Sequence, residues 1–226
     1  MEQDGDAPGR ALQALDMAIA AAGKLARNRV NALRRANPHL TDAQLLKKIN
    51  VAFGSSVTST GAATGAVAAA PGVGTLVGLV AAGGDASWFL TAAAGYVLAV
   101  AELRGVHARD FEHQRALVLM VLAGGGGSTF FSRAAARTGS HLGNIVTNAV
   151  PLSTIRSVNR TLGADFVTKY GTKRGIVAIG KVAPFGIGLV IGASGNLLMA
   201  RSVITSTTVM FDAADKLNAA DGDAGR

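Results

Sequence analysis

The chain has no cysteine, which excludes disulfide bonds and any chemistry that depends on a thiolate. Aromatic residues make up only 5% of its 226 residues, and basic residues are not interleaved with them, so nucleic acid is an unlikely partner. Only 16% of the residues are charged, against roughly 25% in ordinary globular domains. The N-terminus lacks the basic and apolar regions of a signal peptide, so we expect cytoplasmic synthesis without cleavage.

Small apolar residues and positive charge are present in excess. Hydrophobic residues make up 49% of the chain and glycine accounts for 29 residues, a composition that permits close approach of helices. There are 22 basic and 14 acidic residues, which gives a net charge of +8. Such a surface attracts anions, whether acidic lipid, an acidic protein or nucleic acid.

Helical periodicity is found throughout, and no convincing alternating strand pattern is present, so the predicted fold class is all-α. We expect a compact helical bundle with Gly/Ala-rich apolar hairpins. The predicted parts are a disordered leader over 1–8, a single all-helical domain over 9–217 and a disordered tail over 218–226. Within the domain we expect a basic amphipathic helix over 9–36, an apolar hairpin over 41–105, middle helices and a basic linker over 110–175, and C-terminal apolar helices over 176–217.

Several residues predict where helices begin and end. Asn37 and Pro38 should end the first helix, because proline disfavours the helical conformation of the residue before it. Thr41 with Gln44 three residues later has the form of a capping box, with Leu40 and Leu45 as a hydrophobic staple. Gly105 is expected to cap the C-terminus of the apolar hairpin, and Asp110 to cap the next helix.

The six cations chosen as a candidate membrane-surface site lie on the first helix and at the start of the hairpin. They are Lys24, Arg27, Arg34, Arg35, Lys47 and Lys48. A basic amphipathic helix is typical of membrane-surface binding, and each cation near an anionic leaflet contributes about 1 kcal/mol. The alternative is a solvated polar face on a helix whose apolar stripe packs on the rest of the domain.

Between Lys48 and Glu102 the only charged residue is Asp85. A charge buried in such a stretch needs a partner. Within this stretch, residues 71–78 are similar to residues 184–192, which precede Asn196 and Arg201; this similarity indicates either a duplicated hairpin or a coincidence in a glycine-rich chain. Asp85, Arg201 and Asn196 are therefore the candidate buried polar set, with an Asp85–helix-N-terminus contact as the alternative.

The sequence motifs typical of cofactor and metal sites are incomplete in this chain. Residues 175–182 have the glycine and lysine spacing of a phosphate-binding loop, but Val182 replaces the required Ser or Thr. His107, Asp110 and His113 have a spacing that can place metal ligands on one helix face, yet Asp110 is better used as a helix cap. We therefore predict no catalytic residue, no metal and no cofactor.

The chain resembles the EcsC family over roughly residues 40–212. The resemblance is carried by the apolar opening at Pro71, the helix that ends at Glu102–Gly105, the segment Asp110–Arg115 and the closing block Val182–Phe211. It implies a bacterial, helical, apolar protein without an established activity, in the membrane context of an ABC exporter.

These observations predict a non-enzymatic, membrane-associated protein that binds an anionic membrane surface or inserts its apolar hairpins conditionally. Its expected place is the cytoplasm, at the inner face of the cell membrane. Anionic lipid is the expected partner, with a membrane protein complex and a second copy of the chain as further candidates. The alternative is a soluble bundle that binds an apolar ligand or a protein partner, and a lesser alternative is nucleic-acid binding.

Overall fold

The computed structural model describes residues 7–68, 76–108, 110–124, 155–156, 159–160, 162–164 and 187–224. Five long helices lie in these ranges: α1 (Ala7–Ala36), α2 (Asp42–Ala68), α3 (Leu76–Leu103), α4 (Phe111–Gly124) and α5 (Ile187–Ala224). The short described pieces between 155 and 164 are helical as well, and no strand occurs in the ranges just given. The predicted all-α fold is therefore confirmed.

Two helix boundaries differ from those expected. Helix α1 begins at Ala7, inside the predicted leader, and α5 continues to Ala224, beyond the predicted end of the domain at residue 217. Alanine is the strongest helix former, and the alanines of 218–224 favour continuation of the last helix. The predicted turn at Pro71 lies outside the described residues. Residues 175–182, which have the spacing of a phosphate-binding loop, also lie outside them.

The predicted start of α2 is confirmed in detail. The backbone N–H of Gln44 donates to Thr41 Oγ1 at 3.3 Å, and the backbone N–H of Thr41 donates to Gln44 Oε1 at 2.9 Å. Leu40 packs against the small apolar cluster that contains Leu45. This reciprocal bonding satisfies two donors that would otherwise be unpaired, and it fixes the direction in which α2 leaves the turn.

Gly105 ends α3 in the left-handed conformation, with a φ of 79°. The N–H of Val106 donates to the carbonyl of Ala101 at 2.8 Å, and the N–H of Gly105 donates to the carbonyl of Glu102 at 3.2 Å. These two bonds form a Schellman motif, which glycine favours because it has no Cβ to strain. The reversal folds the following residues back over the end of α3.

The core is built around α3 and α4. Each residue from Ala116 to Leu122 is at most 2% exposed, so this part of α4 is enclosed on all sides, as expected for a helical segment that is apolar around its circumference. The apolar stripe of α1, which includes Leu15, Ile19 and Val30, is also buried. That stripe stabilises the bundle and is not available to enter lipid.

Helix α2 is joined to α3 and to α5 by specific contacts. The ring of Tyr96 stacks on Phe53 with centroids 4.5 Å apart, and its hydroxyl donates to Asn50 Oδ1 at 2.8 Å. Asn196 Nδ2 donates to the carbonyl of Val57 at 3.1 Å. Among the helices that the structure describes, none has the length and apolarity needed to cross a membrane.

Candidate functional site

The predicted cations converge on the end of the bundle where α1 meets α2. Arg27, Arg35, Lys47 and Lys48 are exposed there, and Arg34 is half-buried. The side chain of Lys24 lies outside the described residues. The turn between the helices brings the two groups of cations together at the C-terminal end of α3, where Arg34 Nη2 donates to the carbonyl of Leu103 at 3.2 Å.

Two of the predicted cations are engaged with acidic side chains of the same chain. Arg34 forms an ion pair with Asp42, with Nη2 3.0 Å from Oδ2. Arg27 donates from Nε to Glu102 Oε1 at 3.1 Å. Both arginines were expected to face an anionic surface. Each of them also forms an ion pair that joins α1 to another helix. Sequence spacing could not show this for Arg27, because Glu102 lies 75 residues away along the chain.

Four exposed cations of α1 and α2 form no ion pair with any side chain that the structure describes: Arg29, Arg35, Lys47 and Lys48. We call these four residues the basic face. Arg29 was not among the predicted site residues, although it lies in the same basic stretch of sequence. Two large apolar side chains are exposed on the same two helices, Leu25 at 47% and Val51 at 65%. The surface thus combines uncompensated charge with some apolar area.

A cleft of about 260 Å³ opens between α1 and the end of α3. Its lining residues are Gly23, Ala26, Arg27, Asn28, Leu98, Ala101, Glu102, Val106, Ala108 and Gln114. The apolar members form its walls, while two charged side chains and two amides supply polar groups. The Schellman reversal at Gly105 brings Val106 and Ala108 to this cleft.

Small residues on α1 make the cleft, and Gln114 of α4 reaches into it. Gln114 Nε2 donates to the carbonyl of Ala108 at 3.0 Å, which holds the amide in place. A Cβ atom added at Gly23 would lie 2.0 Å from Gln114 Oε1. Glycine at position 23 is therefore required for Gln114 to occupy this position against the α1 backbone.

Glu102 is the mostly buried acidic group of the cleft. Its side chain is 11% exposed, and it contacts Arg27 through Oε1 and His107 Nδ1 through Oε2 at 2.9 Å. A buried carboxylate needs such partners because leaving water is costly for a charge. Arg27 uses only its Nε in this contact, and its side chain is 53% exposed. The Nη groups of Arg27 are therefore oriented by Glu102 and remain able to donate elsewhere.

The spacing of His107, Asp110 and His113 does not assemble a metal site in the part of the chain that the structure describes. His107 contacts Glu102, whereas His113 pairs with Asp110. Asp110 Oδ1 also accepts from the backbone N–H of His113 at 3.0 Å, which confirms Asp110 as the N-cap of α4. His113 Nε2 is buried without a hydrogen-bond partner in the same described part.

The predicted buried polar set is not brought together by any described contact. Arg201 is exposed, which does not fit a buried partner for a carboxylate. Asn196 is partly buried and bonds to Val57 of α2. Asp85 lies on α3, but its side chain is outside the described residues, so its partner stays a prediction.

The fold and its surface define the chain as an all-α helical bundle with a basic face at one end and a small polar cleft beside it. No protein-family model, no curated protein and no solved structure matches it. The resemblance to the EcsC family stays a prediction.

Proposed function

We propose that this protein is a non-enzymatic, peripheral membrane protein that binds anionic lipid surfaces through its basic face. The observation that carries the proposal is that Arg29, Arg35, Lys47 and Lys48 of α1 and α2 are all exposed and without acidic partners among the described side chains. Leu25 and Val51 supply exposed apolar area on the same helices. Cations beside apolar side chains suit the region between lipid headgroups and acyl chains.

The expected strength of binding follows from the number of cations in the basic face. Four cations at about 1 kcal/mol each give about 4 kcal/mol of preference for an anionic over a neutral surface. This corresponds to about three orders of magnitude in the partition coefficient. Because the cations are exposed, the preference should fall with added salt, as the Debye length shortens from about 10 Å at 0.1 M to about 3 Å at 1 M.

The cleft offers less support for the alternative of an apolar ligand. Its lining includes Arg27, Glu102 and two amides, whereas apolar ligands are enclosed by predominantly apolar walls. Nucleic-acid binding would use the same positive charge as a lipid surface. The two are distinguished by adding duplex DNA to the membrane experiment as a competitor.

Vesicle flotation tests the proposal directly. Full-length protein is mixed with phosphatidylcholine vesicles, with or without phosphatidylglycerol, at low and high salt. We expect flotation only with phosphatidylglycerol at low salt. The double variant Lys47→Ala and Lys48→Ala should weaken binding about 30-fold, because about 2 kcal/mol is removed.

A matched control removes two exposed cations at the other end of α1. Arg156 and Arg160 are exposed on short helical pieces, and a Cβ added at nearby Gly163 would lie 3.6 Å from Leu12 Cδ1. Leu12 is about 35 Å from Arg35 along α1, from a rise of about 1.5 Å per residue. The variant Arg156→Ala and Arg160→Ala should bind vesicles like the wild type. Equal losses in the two double variants, or wild-type protein that ignores anionic vesicles at low salt, would contradict the proposal.

A further inference from the structure

We infer that the cleft between α1 and α3 is a binding site for a phosphate ester, with Arg27 as the group that holds the phosphate. The inference rests on the proposed function and deepens it, because lipid headgroups carry this chemistry. A free phosphate ester in solution carries it as well. The juxtaposition that supports the inference is an oriented, half-exposed guanidinium at the rim of a headgroup-sized cleft.

The contact with Glu102 orients the side chain of Arg27. Its Nε is fixed on Glu102 Oε1, so the two Nη groups project from the contact as a planar pair of donors. Such a fork matches the oxygens of a phosphate and binds them with two parallel hydrogen bonds. Asn28, the next residue of α1, is exposed and also lines the cleft, where its amide can donate to the same group.

The charges favour an anion at the rim although Glu102 is acidic. The Glu102 side chain is 11% exposed and the Arg27 side chain is 53% exposed, so an entering anion meets the guanidinium before the carboxylate. The carboxylate is already in contact with Arg27 and with His107. The basic face lies on the same helical hairpin and raises the local concentration of anions.

The size of the cleft restricts the ligand. About 260 Å³ corresponds to roughly nine water molecules at about 30 Å³ each. A group of the size of glycerol phosphate fits this volume. Ala26, Leu98 and Val106 provide apolar contacts for the carbon atoms of the ester.

Isothermal titration calorimetry of the full-length protein with glycerol 3-phosphate is the first arm of the test. We expect saturable binding at one site, and weaker binding of inorganic phosphate, which lacks the carbon atoms that the apolar walls contact. Arg27→Lys keeps the charge and removes the fork, so affinity should fall about tenfold or more. Arg160→Lys is the matched control, since Arg160 is exposed and lies outside both the cleft and the basic face, and it should change affinity by less than about twofold, or about 0.4 kcal/mol.

A second pair of variants avoids the ion pair with Glu102 and keeps the test valid if Arg27→Lys is unstable. Asn28→Asp adds a negative charge at the rim of the cleft and should abolish saturable binding. Gln13→Glu adds the same charge on an exposed residue of α1 that does not line the cleft and lies about 22 Å from Asn28 along the helix. It should have only the small effect of a distant charge. Equal effects within either pair, or no saturable binding by the wild type, would overturn the inference.

Vesicle flotation with phosphatidic acid in phosphatidylcholine is the second arm, and it separates the two sources of phosphate. Sensitivity of flotation to Arg27→Lys supports a lipid headgroup in the cleft. Saturable, Arg27-dependent binding of glycerol phosphate without any vesicle binding supports a site for a free ester and contradicts the proposed membrane function. Vesicle binding that ignores Arg27→Lys, without glycerol phosphate binding, contradicts the inference and leaves the proposed function intact.

Discussion

Replacement of Gly23 by alanine tests whether α1 and α4 meet as described. Two effects oppose each other in this variant. Alanine in a helix interior is favoured over glycine by about 1 kcal/mol. The new Cβ would lie 2.0 Å from Gln114 Oε1, so the Gln114 amide must move and lose its hydrogen bond to Ala108. Such a bond contributes about 0.5–1.5 kcal/mol, so we expect almost no net change in the free energy of unfolding.

The same substitution should behave differently when Gln114 has been removed. In a Gln114→Ala background the space beside residue 23 is empty, and Gly23→Ala should then stabilise the protein by about 1 kcal/mol. The two positions are therefore expected to show a coupling of about 1 kcal/mol in a double-mutant cycle. Urea unfolding followed by circular dichroism gives the four free energies, with the slope of the transition checked for constancy.

Gly54 of α2 provides a control for the helix-propensity term. It lies in a helix, and a Cβ atom added there would meet nothing within 4 Å. Gly54→Ala should stabilise the protein by about 1 kcal/mol in both backgrounds. If Gly23→Ala stabilises the wild type as much as Gly54→Ala does, then Gln114 does not occupy the position beside α1, and the described cleft is wrong.

Two further predictions concern the end of α3 and the core. Gly105→Ala should destabilise the protein by about 1 kcal/mol in the same urea assay, because φ is 79° and a Cβ strains the left-handed conformation; an unchanged midpoint would argue against the Schellman reversal. Burial raises the pKa of Tyr96 above its ordinary value of about 10, an effect that the charge of Arg104 partly offsets. As the pH rises, Tyr96 ionises in the unfolded chain before it ionises in the folded protein. The stability that this group contributes is therefore complete below pH 10 and is lost above it, by up to about 1.4 kcal/mol per pH unit. Tyr96→Phe should remove this part of the alkaline loss, as measured by urea unfolding between pH 9 and about 11, and an identical pH dependence in both proteins would contradict the burial of the phenol.

Local signals in the sequence were enough to predict how several helices begin and end. The capping box at Thr41 and Gln44, the N-cap at Asp110 and the glycine cap at Gly105 each depend on a few neighbouring residues. The stripe of α1 likewise showed which face is apolar. In each case the physical cause lies within one or two turns of the chain, where spacing alone carries the information.

The cleft could not be predicted, because it depends on contacts between residues far apart in sequence. Arg27 and Glu102 are 75 residues apart, and nothing in either segment shows that they face each other. The meeting of Gly23 and Gln114 is equally non-local. Glu102 itself offered one signal, since it is a charged residue at the end of a long apolar run. Such a charge at a buried position requires partners, but the sequence does not say which.

The enclosure of α4 has a consequence for the order in which the chain can fold. Helices α1 to α4 are all synthesised before α5. Helices α2 and α4 nevertheless both pack against α5. The hydrogen bond from Asn196 of α5 to Val57 of α2 spans 139 residues of sequence. Until the ribosome has released the last helix, part of the apolar surface of α2 and α4 has no cover. Contacts of such long sequence separation form late and slow folding. Nascent or truncated chains that end before Ile187 should therefore depend on chaperones and aggregate without them.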